Sequence, residues 1–250
     1  MRDEATQLLV SRWELKGLAM FATANRQTPA RREFPRARNL ITMIKAVIFD
    51  IDGVLLDSFE ANLKFFQDLM IKTGYQPPTR EEYLKIFHFT MMDAIKYLVP
   101  SGSEEEVNRL WTMGKNRAVP YPTELLIMPD NALKTIKKLN KFYLLGIVTS
   151  RIREAIYGSS PLSKLEKYFQ TVISFQDTIN HKPHPEPLVL AAARLGVRPN
   201  ECAYIGDVAN DIEAARAAGM KVIIYSKNNF PEADACTSSF DQLSELIATL

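Results

Sequence analysis

A short apolar segment at residues 45–49 constrains this chain most, because it ends abruptly in acidic residues. The segment is rich in β-branched side chains and is typical of a buried parallel strand. Asp50 and Asp52 follow it directly, and Gly53 comes next. Paired carboxylates at a strand end suit a cation and a phosphoryl group, whereas unpaired charges in a packed core are very costly. A solvated acidic turn is the alternative interpretation.

The composition narrows the class of protein. A chain of 250 residues, 46% of them hydrophobic, is long enough for one large α/β domain or a domain with an insertion. Its net charge of +2 implies no strong field for nucleic acid or a membrane surface. No apolar run approaches the roughly 18 residues of a membrane span. Cys202 and Cys236 lack metal-type spacing. We therefore expect a cytoplasmic enzyme with no nucleic-acid or membrane partner.

The first 42 residues do not continue the pattern of the rest. They contain eight Lys/Arg and four Asp/Glu, and Pro29 and Pro35 interrupt an Arg-rich stretch. We predict a poorly ordered or non-native N-terminal extension, with Met43 as a plausible natural start. A targeting peptide is the alternative, since such peptides are rich in Arg, although the four acids weaken that interpretation.

Residues 59–125 have helical periodicity and no strand pattern. Thr79 followed by Glu82 resembles a capping box, and Ser103 precedes three acids that favour a helix N-terminus. We predict helices at residues 59–73, 80–87, 92–99 and 104–117. This segment is therefore predicted as a helical cap domain inserted between two parts of the core domain, residues 43–58 and 126–250.

After Pro129 the chain alternates between strands and helices. Strands are predicted at residues 143–148, 171–174, 203–205 and 221–225. Helices are predicted at residues 130–139, with Asp130 as the cap, and at 162–169, 188–195, 211–218 and 240–250. This alternation predicts a parallel sheet, whose ligands bind beyond the carboxyl ends of the strands. Polar residues cluster at that edge: Asp50, Asp52, Thr149, Lys182, Asp207 and Asp211.

These residue types are what phosphoryl transfer needs. A carboxylate can attack phosphorus, and a second acid can protonate the leaving oxygen and then deprotonate water. Mg²⁺ prefers oxygen ligands, which Asp50 and Asp207 would supply. Lys182 offers a positive charge for phosphoryl oxygens, and Thr149 offers a hydroxyl donor.

The chain resembles haloacid dehalogenase-like (HAD) phosphohydrolases, whose Rossmann-like core carries four motifs in order. The first motif matches Asp50-Ile51-Asp52-Gly53-Val54, and the second matches Thr149 after a predicted strand. The third matches Lys182 in Lys182-Pro183-His184-Pro185, and the fourth matches Gly206-Asp207-Val208-Ala209-Asn210-Asp211. Four motifs at successive strand ends are far more specific than a lone Asp-x-Asp.

The resemblance implies a role for each matched residue. Asp50 would be the nucleophile that forms an aspartyl phosphate, and Asp52 would be the general acid and base. Thr149, Ser150 and Lys182 would bind the phosphoryl group, and Thr149 and Lys182 would also count as catalytic.

The resemblance also implies a Mg²⁺ site. Its ligands would be Asp50, the backbone carbonyl of Asp52 and Asp207, with Asp211 acting through water. The run at residues 182–188 is similar to phosphoglycolate phosphatases, which implies a small phosphorylated metabolite as substrate.

Several residues have plainer interpretations. Asp57 and Ser58 are predicted to be turn and cap residues rather than catalysts. Asp211 opens a predicted helix, where a carboxylate is favourable for capping alone. His181 and His184 resemble a metal pair, but their proline-rich loop offers no third ligand.

Rival functions remain open at this stage. A sugar phosphomutase would share the core and cap, but such mutases carry a histidine in the first cap helix where this chain has Asn62. Asp52 argues against a true dehalogenase, which lacks the second aspartate. A non-catalytic phosphoacceptor module is the rival from another class, although signalling receivers are shorter and lack a helical insert.

Overall fold

A computed structural model describes residues 43–157 and 160–250. In this part of the chain six strands form one sheet in the order β3-β2-β1-β4-β5-β6, and every neighbouring pair is parallel. The strands are β1 (Ala46–Phe49), β2 (Leu144–Val148), β3 (Thr171–Ile173), β4 (Cys202–Gly206), β5 (Lys221–Tyr225) and β6 (Ala235–Thr237). The predicted parallel α/β sheet is confirmed, and β6 is an edge strand that the sequence pattern did not reveal.

Both faces of the sheet are covered, which explains why β1 is an unbroken apolar run. All four of its residues are buried. One face packs against the helices that contribute Ile136 and Phe240, and the other against those that contribute Leu188 and Ile212. These helices are α5 (Ala132–Leu139), α6 (Glu186–Leu195), α7 (Ala209–Ala218) and α8 (Phe240–Thr249).

Residues 59–125, here called the helical insert, form no strand. Its α-helices are α1 (Phe59–Thr73), α2 (Arg80–Leu84), α3 (Met91–Leu98) and α4 (Glu104–Lys115). Their apolar faces meet in a hydrophobic cluster separate from those of the sheet, built around Leu69, Ile95 and Leu110. The Thr79–Glu82 capping box and the Ser103 cap are both present.

The chain enters and leaves the helical insert side by side. Asp57 and Ile127 form an antiparallel bridge, with N–H···O distances of 2.8 and 3.1 Å in the two directions. The two connections are therefore hydrogen-bonded to each other just outside the insert.

Two local predictions were wrong. The cap position of α5 is Asn131, not Asp130; it has a left-handed backbone, and no side-chain capping bond is formed there. The helix predicted at residues 162–169 is two short 3₁₀ segments, Pro161–Lys164 and Glu166–Tyr168. Their i,i+3 repeat presents apolar residues at a spacing close to that of an α-helix.

The prediction for residues 1–42 lies outside the described residues. Within residues 43–157 and 160–250, no helix combines the length and apolar character needed to cross a membrane.

Candidate active site

The strand order brings three predicted motifs together. β1 lies between β2 and β4, with Phe49 opposite Ile147 on one side and Ile205 on the other. The residues that follow these strands therefore meet at one edge of the sheet, where the chain order switches sides. This is the place where parallel sheets bind ligands.

Lys182 joins the first and fourth motifs. Its ammonium group lies 2.7 Å from Asp50 Oδ2 and 2.7 Å from Asp211 Oδ1. It also donates to the hydroxyl of Tyr204 at 2.9 Å, and that hydroxyl donates to Asp211 Oδ1 at 3.1 Å. Tyr204 was not predicted as a site residue, although a tyrosine in a buried strand usually needs a partner for its hydroxyl.

Asp211 occupies a fully buried position at the start of α7. Its second oxygen, Oδ2, accepts hydrogen bonds from the backbone N–H groups of Asp207 and Val208 at 3.0 and 3.3 Å. Asp211 therefore combines the capping role of the plainer interpretation with a direct contact to Lys182.

Three carboxylates converge with ligand oxygens within 4.8 Å of one another: Asp50, Asp207 and Asp211. Burial and the neighbouring charge of Asp211 raise the pKa of Asp207 to about 9. Burial also raises the pKa of Asp50 to about 7, with Lys182 opposing the shift. Such mutual repulsion fits a hard divalent cation bound among oxygen donors.

Lys182 and Asp211 hold their charges. Burial alone would lower the pKa of Lys182, but the carboxylates of Asp211 and Asp50 raise it well above its usual value. Burial alone would raise the pKa of Asp211, but Lys182 lowers it below the usual value. A charged lysine is thus fixed between two carboxylates of the site.

Two glycines make this crowding possible. Gly53 has φ = 76°, and a Cβ built there would lie 2.0 Å from Asp207 Oδ2. A Cβ at Gly206 would lie 2.3 Å from the Cβ of Asp211. The glycines of the first and fourth motifs therefore allow the carboxylates to approach the backbone.

Asp52 has a partner that the sequence analysis missed. Arg151 binds it with both arms: Nη2 lies 2.7 Å from Oδ1 and Nε lies 2.8 Å from Oδ2. Burial alone would raise the pKa of Asp52, but the charge and hydrogen bonds of Arg151 hold it below its usual value. Arg151 lies two residues after Thr149. Its position just beyond a predicted strand end could have marked it as a site residue.

The Arg151–Asp52 pair belongs to a closed ring of hydrogen bonds. Ser58 donates its hydroxyl to Asp52 Oδ1, and Asn62 Nδ2 lies 3.3 Å from the Ser58 hydroxyl. Tyr121 donates to Asn62 Oδ1 at 2.6 Å and accepts from Arg151 Nη2 at 3.3 Å. Ser58 was predicted as a cap; it does precede α1, but it makes no side-chain capping bond. Because Asn62 and Tyr121 belong to the helical insert, this ring joins the insert to the first motif.

Thr149 and Ser150 lie beside this ring. Thr149 is buried, and its hydroxyl accepts the backbone N–H of Arg151 at 3.1 Å. Ser150 is exposed and lines the same cavity as Asp50 and Lys182. His181 stacks on Phe175, and His184 Nδ1 accepts the Glu186 N–H, so neither histidine joins the carboxylate cluster.

A cavity of about 820 Å³ lies between this edge and the helical insert. Residues of both parts line it, and the insert contributes aromatic side chains together with His88, Lys115 and Arg117. His88 Nδ1 lies 3.8 Å from Asp207 Oδ2, a contact that the sequence did not suggest. The arrangement can hold a cation, an anionic group and a compact organic group at once.

The fold and the four motifs define a hydrolase of one family. The family model described as haloacid dehalogenase-like hydrolase matches residues 47–225, and the chain belongs to this family.

Relatives give the comparison more detail. The chain is 32% identical over 181 residues to pyrophosphatase PpaX of Bacillus pumilus, covering 71% of this chain and 81% of the relative. It is similar to a HAD-superfamily hydrolase of subfamily IA, variant 1, from Geobacter sulfurreducens, with 30% identity and a TM-score of 0.63. That alignment covers 85% of this chain and all of the other. β-Phosphoglucomutase of Clostridium difficile, at 21% identity and a TM-score of 0.64 over 82% of this chain and 97% of the other, shares the fold.

Proposed function

We propose that the chain is a Mg²⁺-dependent phosphatase that hydrolyses a small phosphorylated compound through an aspartyl phosphate on Asp50. The observation that carries the proposal is the convergence of Lys182 with Asp50, Asp207 and Asp211 at the carboxyl edge of the sheet. A lone acidic turn would not hold a charged, buried lysine between two carboxylates. The helical insert serves as the cap over this edge.

The chemistry divides into two displacements. An oxygen of Asp50 attacks phosphorus, the bond from phosphorus to the leaving oxygen breaks, and Asp52, which has first taken up a proton from solvent, gives that proton to the leaving oxygen. Asp52 then takes a proton from water as the water oxygen attacks phosphorus, and the bond to Asp50 breaks. Inorganic phosphate leaves and both aspartates return to their starting states. Lys182, Thr149 and Ser150 hold the phosphoryl oxygens throughout.

The carboxylates Asp50 and Asp207, with the carbonyl of Asp52 and with Asp211 through water, would hold Mg²⁺. When bound, the ion offsets the negative charge that builds up around phosphorus. Asp211 also keeps Lys182 oriented, because the two are held at 2.7 Å.

Phosphate monoesters similar to phosphoglycolate are the proposed substrates. Pyrophosphate is a second candidate, favoured by the relative named pyrophosphatase PpaX. A phosphomutase would need a second group to receive the phosphoryl unit, and Asn62, at the position where mutases carry histidine, is instead engaged by Tyr121 and Ser58.

The test is phosphate release from a panel of small phosphorylated compounds, with Mg²⁺ and with EDTA. We expect turnover only with Mg²⁺, and a loss of at least about 10³-fold in Asp50→Asn, because the amide has the same shape but is a poor nucleophile. Asp68→Asn, whose residue pairs with Lys64 within α1, is the control and should keep full activity.

Two outcomes would contradict the proposal. One is wild-type turnover by a folded Asp50→Asn protein, and the other is full activity in metal-free buffer. Product analysis separates the rival: a mutase would convert a sugar phosphate to its isomer and release little phosphate.

A further inference from the structure

The proposed function makes Asp52 the general acid and base, and the contact between Arg151 and Asp52 conflicts with that role. Arg151 engages both carboxylate oxygens, at 2.7 and 2.8 Å, and Ser58 adds a third hydrogen bond. Both carboxylate oxygens thus accept hydrogen bonds, so a leaving group has to compete with the Arg151 guanidinium for Asp52. Proton transfer from Asp52 is therefore favoured when the contact opens.

The Arg151 side chain has no other strong partner that could draw it away. Among the described residues, its remaining contacts are the carbonyl oxygen of Ala155 at 3.2 Å, the Tyr121 hydroxyl at 3.3 Å and the Tyr121 ring at 5.6 Å. Its side chain is 9% exposed, and it lines the cavity that also holds Asp50 and Lys182. The competitor must enter through that cavity.

The chemistry of the guanidinium identifies the competitor. Its planar donors match a carboxylate or a phosphate in two-pronged fashion, and they match neutral groups poorly. Lys182 already serves the phosphoryl group that is transferred, so the competitor is a different anionic group of the same molecule. Lys115 and Arg117, on the insert side of the cavity, add positive charge for it.

We propose that Arg151 selects substrates that carry a second anionic group next to the transferred phosphoryl group. That group, a carboxylate or a second phosphate, takes Arg151 away from Asp52 and so releases Asp52 for proton transfer. The inference rests on the proposed function and narrows its substrate to small compounds with two anionic groups. When Arg151 binds the second anion, it releases Asp52 in the same event. With a substrate that lacks the second anion, Asp52 stays engaged by Arg151 and its proton transfer is disfavoured.

The test compares substrates of matched size. Phosphoglycolate and ethyl phosphate differ chiefly in a carboxylate. Pyrophosphate and methyl phosphate form a second pair whose leaving groups also differ, so for that pair only the change in preference caused by Arg151→Met is used. In the wild type we expect kcat/KM to favour phosphoglycolate over ethyl phosphate. In Arg151→Met the preference within each pair should fall by about 30-fold or more, because a charge-assisted two-pronged contact is lost. Turnover of ethyl phosphate should fall less than turnover of phosphoglycolate, since ethyl phosphate has no second anion for Arg151 to bind.

Two further variants control the experiment. Arg153→Met removes an exposed arginine two positions away that pairs with Asp177, and it should leave the preference unchanged. Arg151→Lys keeps the charge without the planar fork, and it should lower the preference by about 10-fold. This variant serves as the test if Arg151→Met fails to fold. A binding measurement in Asp50→Asn should show the same loss of affinity for phosphoglycolate when Arg151 is changed, with affinity for ethyl phosphate preserved.

The outcomes are separable. Equal losses on both members of a pair would overturn the inference and leave Arg151 as a residue that only positions Asp52. A wild type that hydrolyses phosphoglycolate and ethyl phosphate equally well would also overturn it. A wild type that releases phosphate from none of these compounds or from the wider panel would contradict the proposed function itself.

Discussion

At the scale of single residues, the site depends on positions where a side chain is absent. Gly53 combines a left-handed backbone with a carboxylate at the place where a Cβ would be. The general cost of a left-handed backbone for alanine is about 1–2 kcal/mol. The cost of displacing Asp207 comes in addition, and it falls on a residue of the proposed Mg²⁺ site.

Gly53→Ala should therefore lose both stability and Mg²⁺ affinity. Gly219→Ala is the matched control: its φ of 75° is nearly the same, but a Cβ there would meet nothing within 4 Å. We expect Gly219→Ala to lose about 1–2 kcal/mol in the free energy of unfolding and Gly53→Ala to lose at least that much, and only Gly53→Ala to need at least about tenfold more Mg²⁺ for half-maximal activity. Equal Mg²⁺ requirements would show that Asp207 yields to the methyl group at no cost.

Some residues of the site could be predicted from the sequence, and others could not. Three of the four motifs could be predicted because each follows an apolar strand and carries a charged or hydroxyl group. Lys182 lies nine residues after β3, and its proline-rich context and the resemblance to the third motif pointed to it. Arg151 could not be assigned, because its partner Asp52 lies 99 positions away and no local pattern links them. Tyr204 could not be assigned for a related reason. A tyrosine in a buried strand is interpreted as a core residue, and only the fold brings its hydroxyl to Lys182.

At the scale of elements, the end of the sheet opposite the site is held by Glu201. It ends the 3₁₀ turn before β4 and accepts from Lys45, which precedes β1, at 2.6 Å. It also accepts the Arg198 N–H at 2.9 Å. The Arg198 guanidinium donates to it as well, at 3.1 Å, and the hydrogen bonds from the Arg198 side chain, from Lys45 and from the Arg198 N–H lower the pKa of Glu201 to about 2. The two central strands are thus tied together by one carboxylate.

Glu201→Gln should destabilise the fold by about 1–3 kcal/mol at pH 7. Because the folded pKa lies below the unfolded one, the stabilisation is present above the unfolded value of 4.5 and is lost as pH falls toward 2. The difference in unfolding free energy between the wild type and Glu201→Gln should therefore shrink as pH falls through this range. Denaturant unfolding at several pH values measures it. Glu213→Gln, on the exposed side of α7, should show no deficit at any pH. A Glu201→Gln deficit that does not change with pH would contradict the charge argument.

Elements were easier to predict than their ends. Two helices of the insert begin where they were predicted because Thr79 and Ser103 are local caps, but the first of them ends at Leu84 rather than Phe87. The α5 cap was wrong because Asn131 is held from outside its own helix, donating to Asp241 at 2.8 Å. β6 has only three residues, and its pairing with β5 comes from the tertiary fold rather than from a local pattern.

At the scale of the whole molecule, the carboxylate cluster links stability to pH and to metal. The pKa values of Asp207 and Asp50 rise to about 9 and about 7 from an ordinary 3.8. A group with a raised folded pKa gives full stability below its unfolded pKa and loses it as pH rises through the folded value. In EDTA the free energy of unfolding should therefore fall as pH rises from about 4 to about 9, most steeply below about pH 7, where both carboxylates contribute.

Mg²⁺ should remove this fall, because it favours the charged carboxylates of the folded state. Asp207→Asn should be more stable than the wild type in EDTA at pH 8, and Mg²⁺ should no longer raise its melting temperature. Melting curves at several pH values, with Mg²⁺ and with EDTA, measure both effects. A wild type whose stability in EDTA is independent of pH, and unchanged by Mg²⁺, would show that these carboxylates do not form a cation site.

The bridge between Asp57 and Ile127 has a consequence for how such a chain can change over time. It fixes the two ends of the helical insert one hydrogen-bonded pair apart, whatever lies between them. The insert also has its own apolar cluster, while Ala61 and Tyr121 pack in the cluster on the sheet. Segments of other lengths that keep the Asn62 and Tyr121 contacts can therefore be exchanged at this junction, and the set of accepted substrates can change while the first motif stays in place.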